Sequence, residues 1–314
     1  KKILKKNFMH KNSKNCHQVI SFYKFINIKN PLLIKELIIN FDQINNIKGT
    51  IIISKEGING SVFGSKSILS KFFVIINKNV SNDIIKNANF VQKSPFSKFK
   101  VKIKKEIVKI GFSYQGVKKK GGIHVSALKW DKLCTEENVV ILDTRNHYES
   151  DIGSFNNSLL PNINSFSEFP SWVNKNWDKI KDKKILTYCT GGIRCEKATS
   201  LLISRGNLNV YQLKGGILKY LSTKDNSSNF NGECFVFDDR VTVDKNLKKG
   251  KYSMCFACGS AISKVDFLSS DYKKGISCSK CINKTSKEQK RRFSERQKQI
   301  NFAKQKGIKH LGQT

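Results

Sequence analysis

Residues 188–200 read YCTGGIRCEKATS and place two cysteines six positions apart around a Gly-Gly turn and an arginine. Cys189 closes an apolar run, KILTYC (184–189), and a helix is expected from about Cys195 to Arg205, ended by Gly206. VVILD (139–143) and VYQLKGG (210–216) are further strand signals. Continuous apolar strands alternating with helices describe a parallel sheet covered on both faces, so this part of the chain is α/β. The cysteine pair itself admits four readings: a disulfide, half a metal site, a redox pair, or one nucleophile with a bystander.

Loop length favours the nucleophile. The amides of Thr190, Gly191, Gly192, Ile193 and Arg194 can converge on one sulfur, because two glycines let the backbone curl without Cβ clashes. The positive end of a helix and the Arg194 charge would stabilise a thiolate or another sulfur anion. Cysteine phosphatases use Cys-x5-Arg; here the spacing is Cys-x4-Arg, a tighter cradle that suits the terminal sulfur of a persulfide better than a phosphoryl group. Cys195 is read as a packing thiol, with a resolving partner as the alternative. Asp143 and Arg145 follow a strand at the carboxyl edge of the sheet, where α/β proteins bind ligands, and form either a substrate contact or a structural ion pair.

Ahead of this region the pattern is different. VISFYKFI (19–26) reads as a strand, and Asn30-Pro31 as a helix start followed by an apolar face of Leu33, Ile34, Leu37, Ile38 and Phe41. GTIIIS is a buried strand, KEGING (55–60) a turn, and SVF a short returning strand. Ser65 caps a helix with Ile68, Leu69, Phe72, Phe73 and Ile76 on one face. After a polar, proline-marked stretch, FKVKIKKEIVKI (99–110) is taken as the final strand, completing the β-α-β-β-α-β order of a ferredoxin-like or acylphosphatase-like sandwich. GVKKKGG (116–122) looks like a linker.

Beyond about residue 252 the cysteines cluster. CFAC (255–258) and CSKC (278–281) are two Cys-x2-Cys knuckles nineteen residues apart, the spacing of a closed tetrahedral zinc site through Cys255, Cys258, Cys278 and Cys281. Residues 284–309 then hold ten Lys or Arg against Glu288 and Glu295, with Phe293 and Phe302 interleaved. A basic helix of this kind can follow a phosphate backbone through Arg291, Arg292, Arg296 and Lys298, or dock by its aromatic side and remain solvated.

The formal charge of +34 points the same way, towards a polyanion. Lys, Asn and Ile are abundant throughout, however, as drift to A/T-rich codons would produce, and the charge by itself is slender support for RNA binding. Nine cysteines clustered in this manner suit metal binding and catalysis in a reducing compartment better than a disulfide scaffold. The basic start precedes no apolar run of signal-peptide length, and PLLIKELIINF is broken by Lys35 and Glu36. A cytoplasmic protein without a membrane span is expected.

ILDTRNHYESDIGSF, YCTGGIRCEKA and LKGGILKY together resemble a rhodanese domain. The resemblance is closest to the bacterial rhodanese-domain tRNA uridine hydroxylases, and KEGINGSVFGS, GECFVFDDRVTV, the four-cysteine module and RQKQINFAKQKGIKHLG extend it along nearly the whole chain. His147 and Ser154 depart from it, standing where the family more often has an acidic and a larger polar residue. It implies oxygen-dependent conversion of the wobble uridine of tRNA to 5-hydroxyuridine, with Cys189 as the essential group. No flavin fingerprint or iron facial triad is visible in the sequence. A persulfide sulfurtransferase and a non-catalytic RNA-binding protein are the rival expectations. The expected organisation is a ferredoxin-like domain (1–115), a rhodanese domain (116–228), a zinc-ribbon-like segment (229–283) and a basic helical tail (284–314).

Overall fold

A computed structural model describes residues 17–111, 121–223 and 229–308. The basic start, most of the 116–122 linker, His10 and His310 lie outside the described residues. The amino-terminal part runs β1 (His17–Phe25), α1 (Pro31–Ile39), β2 (Lys48–Ser54), β3 (Gly57–Ser65), α2 (Lys66–Asn79), β4 (Ile85–Val91) and β5 (Phe99–Ile103). Its sheet has the order β4-β1-β3-β2-β5, in which the first four strands are antiparallel neighbours as a ferredoxin-like sandwich requires. The Asn30 carboxamide accepts from the Leu32 and Leu33 amides at 3.1 and 3.2 Å, and Ser65 Oγ accepts from Ile68 N–H at 3.3 Å. Each cap satisfies orphan donors of the first helical turn.

Several expectations change here. The fourth strand of the sandwich is β4, within the stretch read as polar loop; FKVKI is a fifth strand, added parallel to β2 at the opposite edge. IKNANFV is an edge strand in which Asn87 alone of the seven residues is buried, so no run of buried apolar residues marks it. The turn before β3 is confined to Lys55 and Glu56, and both glycines of KEGING belong to the strand. Along α1, Leu33 is exposed, whereas Ile34 and Ile38 enter the core with Phe41.

Helices α1 and α2 cover one face of this sheet with Leu69, Phe72, Phe73 and Ile76 against Phe22, Ile51, Ile53, Ile58 and Val62. The opposite face carries the alternate residues. Ser21, Ser61 and Asn87 stand side by side in register, as do Tyr23 and Asn59. This polar face meets the second domain.

That domain comprises β6 (Ile123–Val125), α3 (Ala127–Cys134), β7 (Val139–Asp143), α4 (His147–Ser150), β8 (Gly153–Phe155), β9 (Ser158–Leu159), α5 (Phe169–Ile180), β10 (Lys184–Tyr188), α6 (Ile193–Ser204), β11 (Val210–Leu213) and α7 (Gly216–Thr223). Its parallel sheet is ordered β6-β11-β10-β7-β9. Ile141, Leu186, Tyr188 and Leu213 face one apolar layer, and Leu142, Ile185 and Val210 face the other, as the continuous apolar strands require. His147 is used locally: its N–H donates to the Ile163 carbonyl at 2.8 Å. Ser154 lies in β8, opposite Asn231 of β12 (Phe230–Gly232).

Three short two-stranded sheets follow, β12 pairing back to β8, β13 (Cys234–Phe235) with β14 (Thr242–Val243), and β15 (Ser253–Met254) with β16 (Ala261–Ile262). Phe230, Cys234, Val236 and Val243 join the core under β7 and β10. The chain ends its described part with α8 (Lys287–Gln305), whose Ser286–Gln289 capping box marks the start.

Candidate active site at Cys189 and a four-cysteine cluster

Cys189 sits where β10 stops and α6 has not begun. The Gly192 amide donates to its sulfur at 3.0 Å, and the amides of Arg194 and Cys195 also face it. Gly192 has φ +100°, a left-handed backbone that a side chain would strain, and its ideal Cβ would meet the Tyr23 hydroxyl at 2.9 Å. Gly191 faces open space. From the other side, Ile217 N–H donates to Cys189 O at 3.0 Å and Leu218 N–H to Thr190 O at 3.1 Å. Gly216 lets that backbone come so near, since a Cβ there would stand 2.4 Å from Cys189 O. The LKGG and CTGG segments are thus two halves of one backbone arrangement.

Burial pushes the Cys189 thiol up, but three influences outweigh it: the Cys195 S–H, the Arg194 charge and the inward-facing amides together bring it down to about 6. Cys195 moves the other way. It is fully buried behind Cys189, and burial together with its neighbour's sulfur holds it well above the ordinary thiol range. It is therefore a neutral donor beside an anion, and its own sulfur lies 3.7 Å from Thr144 Oγ1. Both cysteines are free thiols.

The charge of Arg194 has a counterion that the sequence reading passed over. Its Nη1 and Nη2 donate to Glu149 Oε2 and Oε1 at 2.6 and 2.7 Å, and the Glu149 side chain is wholly buried. Burial alone would raise that carboxyl; the guanidinium holds it below its usual range. Glu149 also accepts from Asn146 N–H at 3.1 Å, the capping box of α4, and from Thr190 Oγ1 at 3.4 Å. An Asn-x-x-Glu spacing at 146–149 was the available signal.

Asp143 and Arg145 are brought together, and away from solvent. Arg145 Nη2 donates to Asp143 Oδ2 and to Gly153 O, both at 2.6 Å, with both side chains inaccessible. The pair fastens β8 to the end of β7, which is the structural alternative. Substrate contact finds no exposed atom there.

The amino-terminal domain contributes directly to the loop. Tyr23 Oη donates to Glu196 Oε1 at 3.1 Å, and His124 Nε2 lies 3.4 Å from the same oxygen. Lys197, with no accessible side-chain surface, reaches Glu56 Oε1 at 2.9 Å and Glu106 Oε2 at 2.6 Å. Asn87 Nδ2 donates to Gly215 O at 3.0 Å. Sequence alone does not single these residues out: partners separated by 72 to 173 positions leave no local pattern.

Cys255, Cys258, Cys278 and Cys281 converge, their sulfurs all within 4.8 Å of one another, as a group that could hold a metal ion. Two of the separations are 3.8 Å (Cys258–Cys278) and 3.7 Å (Cys278–Cys281). Four thiolates about 2.3 Å from a zinc ion lie at the corners of a tetrahedron with edges of about 3.8 Å, so the donor set fits. Apart from the cysteines, Ile262 alone is fully buried in this cluster, too little apolar surface to stabilise it unaided.

The basic residues of α8 divide. Arg296 Nη2 donates to Phe256 O at 2.7 Å and Gly275 O at 3.1 Å, so it joins the helix to the cysteine loops. Lys298 pairs with Glu295 at 2.8 Å on the exposed side, and Arg291 and Arg292 are exposed. Among the described residues no helix is long and apolar enough to cross a membrane.

Comparison with known proteins gives two domain matches, the UPF0176 acylphosphatase like domain over residues 17–107 and the Rhodanese-like domain over residues 126–223. A protein of Prochlorococcus marinus subsp. pastoris named tRNA uridine(34) hydroxylase is 42% identical over 305 residues, covering 95% of this chain and 98% of its own. One of the same name from Prochlorococcus marinus (strain MIT 9215) is 43% identical over 293 residues, covering 91% and 94%. Among solved structures, a rhodanese-related protein from Thermoplasma volcanium matches with a TM-score of 0.26 and 25% identity over 32% of this chain and 91% of its own. A human single-domain sulfurtransferase matches with a TM-score of 0.28 and 21% identity over 33% and 100%. Neither structural likeness is strong enough to carry a conclusion.

Proposed function

The chain belongs to the tRNA uridine(34) hydroxylase family, and from that membership we propose that Cys189 is the group on which hydroxylation of the wobble uridine to 5-hydroxyuridine depends. The observation that carries this is the sulfur's setting: three backbone amides and the Arg194 charge around one buried thiol whose acidity is raised. Such a setting stabilises a sulfur anion, thiolate or persulfide, at neutral pH. Molecular oxygen is the co-substrate that a hydroxylation implies. Cys255, Cys258, Cys278 and Cys281 would hold a zinc ion, which when bound fixes the fold of the segment. The transfer RNA would be held at a distance from the reacting base by exposed charge on α8, and the protein would work in the cytoplasm.

The test is nucleoside mass spectrometry of tRNA from cells lacking the gene, complemented with wild type or Cys189→Ser. Wild type should restore 5-hydroxyuridine and its derivatives, and the variant should not. Full restoration by Cys189→Ser would refute the assignment, and loss of a thionucleoside in place of a hydroxylated one would favour sulfur transfer.

A further inference from the structure

Exposed large apolar side chains are numerous on this molecule, and singly they need no explanation. Phe237 combines three properties. Its ring is 64% exposed and its centroid lies 5.9 Å from Arg194 Cζ, on the rim of the Cys189 loop. It is the exposed tip of an otherwise anchored turn. Phe235, Val236 and Val241 are buried, Val236 N–H donates to Val241 O at 2.9 Å, and Asp239 N–H donates to Pro95 O of the amino-terminal domain at 2.9 Å. The turn is also strained: Val241 has φ +65°, a left-handed conformation that a β-branched residue rarely adopts. Phe235 meets Phe237 edge to face at 5.1 Å and fixes the tilt of the ring without covering it.

We propose that Phe237 is the platform on which the uracil of the wobble nucleotide stacks once it has left the anticodon stack. The inference rests on the reading of Cys189 as the reactive group. A displaced base loses its stacking partners, and an aromatic face beside the reacting centre replaces them. The surroundings supply a path for the attached backbone. Three residues on, Arg240 is held by Asp238 through Nε (2.9 Å) and Nη2 (2.6 Å), leaving a buried Nη1 with no partner among the described residues. It lines an open cleft of about 1200 Å³ with Phe90, Lys93, Lys248 and Lys249, in which Asp239 is the acidic member. A phosphate chain entering there meets positive charge before the base arrives at Phe237.

The test compares Phe237→Leu and Phe237→Trp with wild type in the full-length protein. Leucine keeps apolar bulk and loses the π-face. It should lower kcat/KM for tRNA about ten- to a hundredfold, and tryptophan should stay within about threefold of wild type. Binding is measured in a Cys189→Ser background, where it does not depend on the chemistry, with an anticodon stem-loop bearing uridine or an abasic site at the wobble position. The unsubstituted Phe237 protein should prefer the uridine loop, and Phe237→Leu should bind both alike. Alkylation of Cys189 without RNA should be unchanged by either substitution. Wild-type kcat/KM in Phe237→Leu, equal weakening of both stem-loops, or slower alkylation would each overturn the proposal; the last would make Phe237 a prop for Arg194. Activity surviving in Cys189→Ser would instead remove the reading of the thiol and leave the binding comparison intact.

Discussion

Arg194 and Glu149 close on one another as a buried bidentate pair, 2.6 and 2.7 Å across its two bonds, directly beside the Cys189 loop. The arginine therefore does two things. It lends positive charge to the sulfur, and it neutralises a carboxylate that would otherwise stand unpaired 45 residues away in sequence. Removing the arginine exposes the thiol to the carboxylate's field as well as depriving it of a cation.

Arg194→Ala should accordingly destabilise the protein by about 3–5 kcal/mol, the cost of stranding a buried charge. Adding Glu149→Gln should recover part of that loss, because the orphaned carboxylate is then neutral. Denaturant unfolding of the single and double variants measures both. A single variant as stable as wild type would show the pair to be energetically idle.

The thiol's acidity is readable from alkylation. With Cys189 lowered to about 6, its modification rate should be flat above about pH 7 and fall about tenfold per unit below about pH 5. Thiolate is the reactive form, so a lowered pKa moves the fall to acid. In the Arg194→Ala, Glu149→Gln double variant the midpoint should move towards the ordinary thiol range. Peptide-level mass spectrometry separates Cys189 from the other cysteines, and an unperturbed midpoint near 8.5 (about the free-thiol value) in wild type would contradict the geometry.

Elemental analysis of the purified protein should give about one zinc per chain. Since Arg296 ties α8 to carbonyls of the cysteine loops, release of the metal with a thiol-reactive mercurial should make the 287–305 helix sensitive to trypsin. Unchanged protection after release would mean that the metal does not hold the segment together.

Charge on α8 should matter only where it is exposed to solvent. Arg291→Gln, Arg292→Gln and Lys298→Gln combined should weaken tRNA binding and reduce the slope of log K against log salt by about one per lost phosphate contact between about 50 and 200 mM. Arg296 is left in place because its substitution would loosen the helix. Identical slopes for variant and wild type would exclude this face from RNA contact.

Much of the site was legible because it is local. Cys189, its glycines and Arg194 lie within six residues, and strand, turn and helix each have signals of that length. The same holds for the Cys-x2-Cys knuckles and for the caps at Asn30 and Ser65. What escaped is either polar or distant. β4 alternates asparagine with exposed residues and looks like loop until β1 pairs with it. Glu149 was quoted within a motif, yet only folding sets it opposite Arg194. Tyr23 and Glu56 lie in a different domain from the glutamate and lysine they bind, so no window on the sequence contains both.

Lys197 has a consequence for anyone wishing to excise or transplant the rhodanese unit. Its ammonium has no accessible surface, and both carboxylates that compensate it, Glu56 and Glu106, precede residue 121. A fragment of residues 121–223 would keep the cation and lose its two counterions, one helical turn from the active loop, at a cost of several kcal/mol. The portable part is larger than the matching domain profile. Any graft has to bring along the acids of its neighbour or replace Lys197 with a neutral residue of similar length.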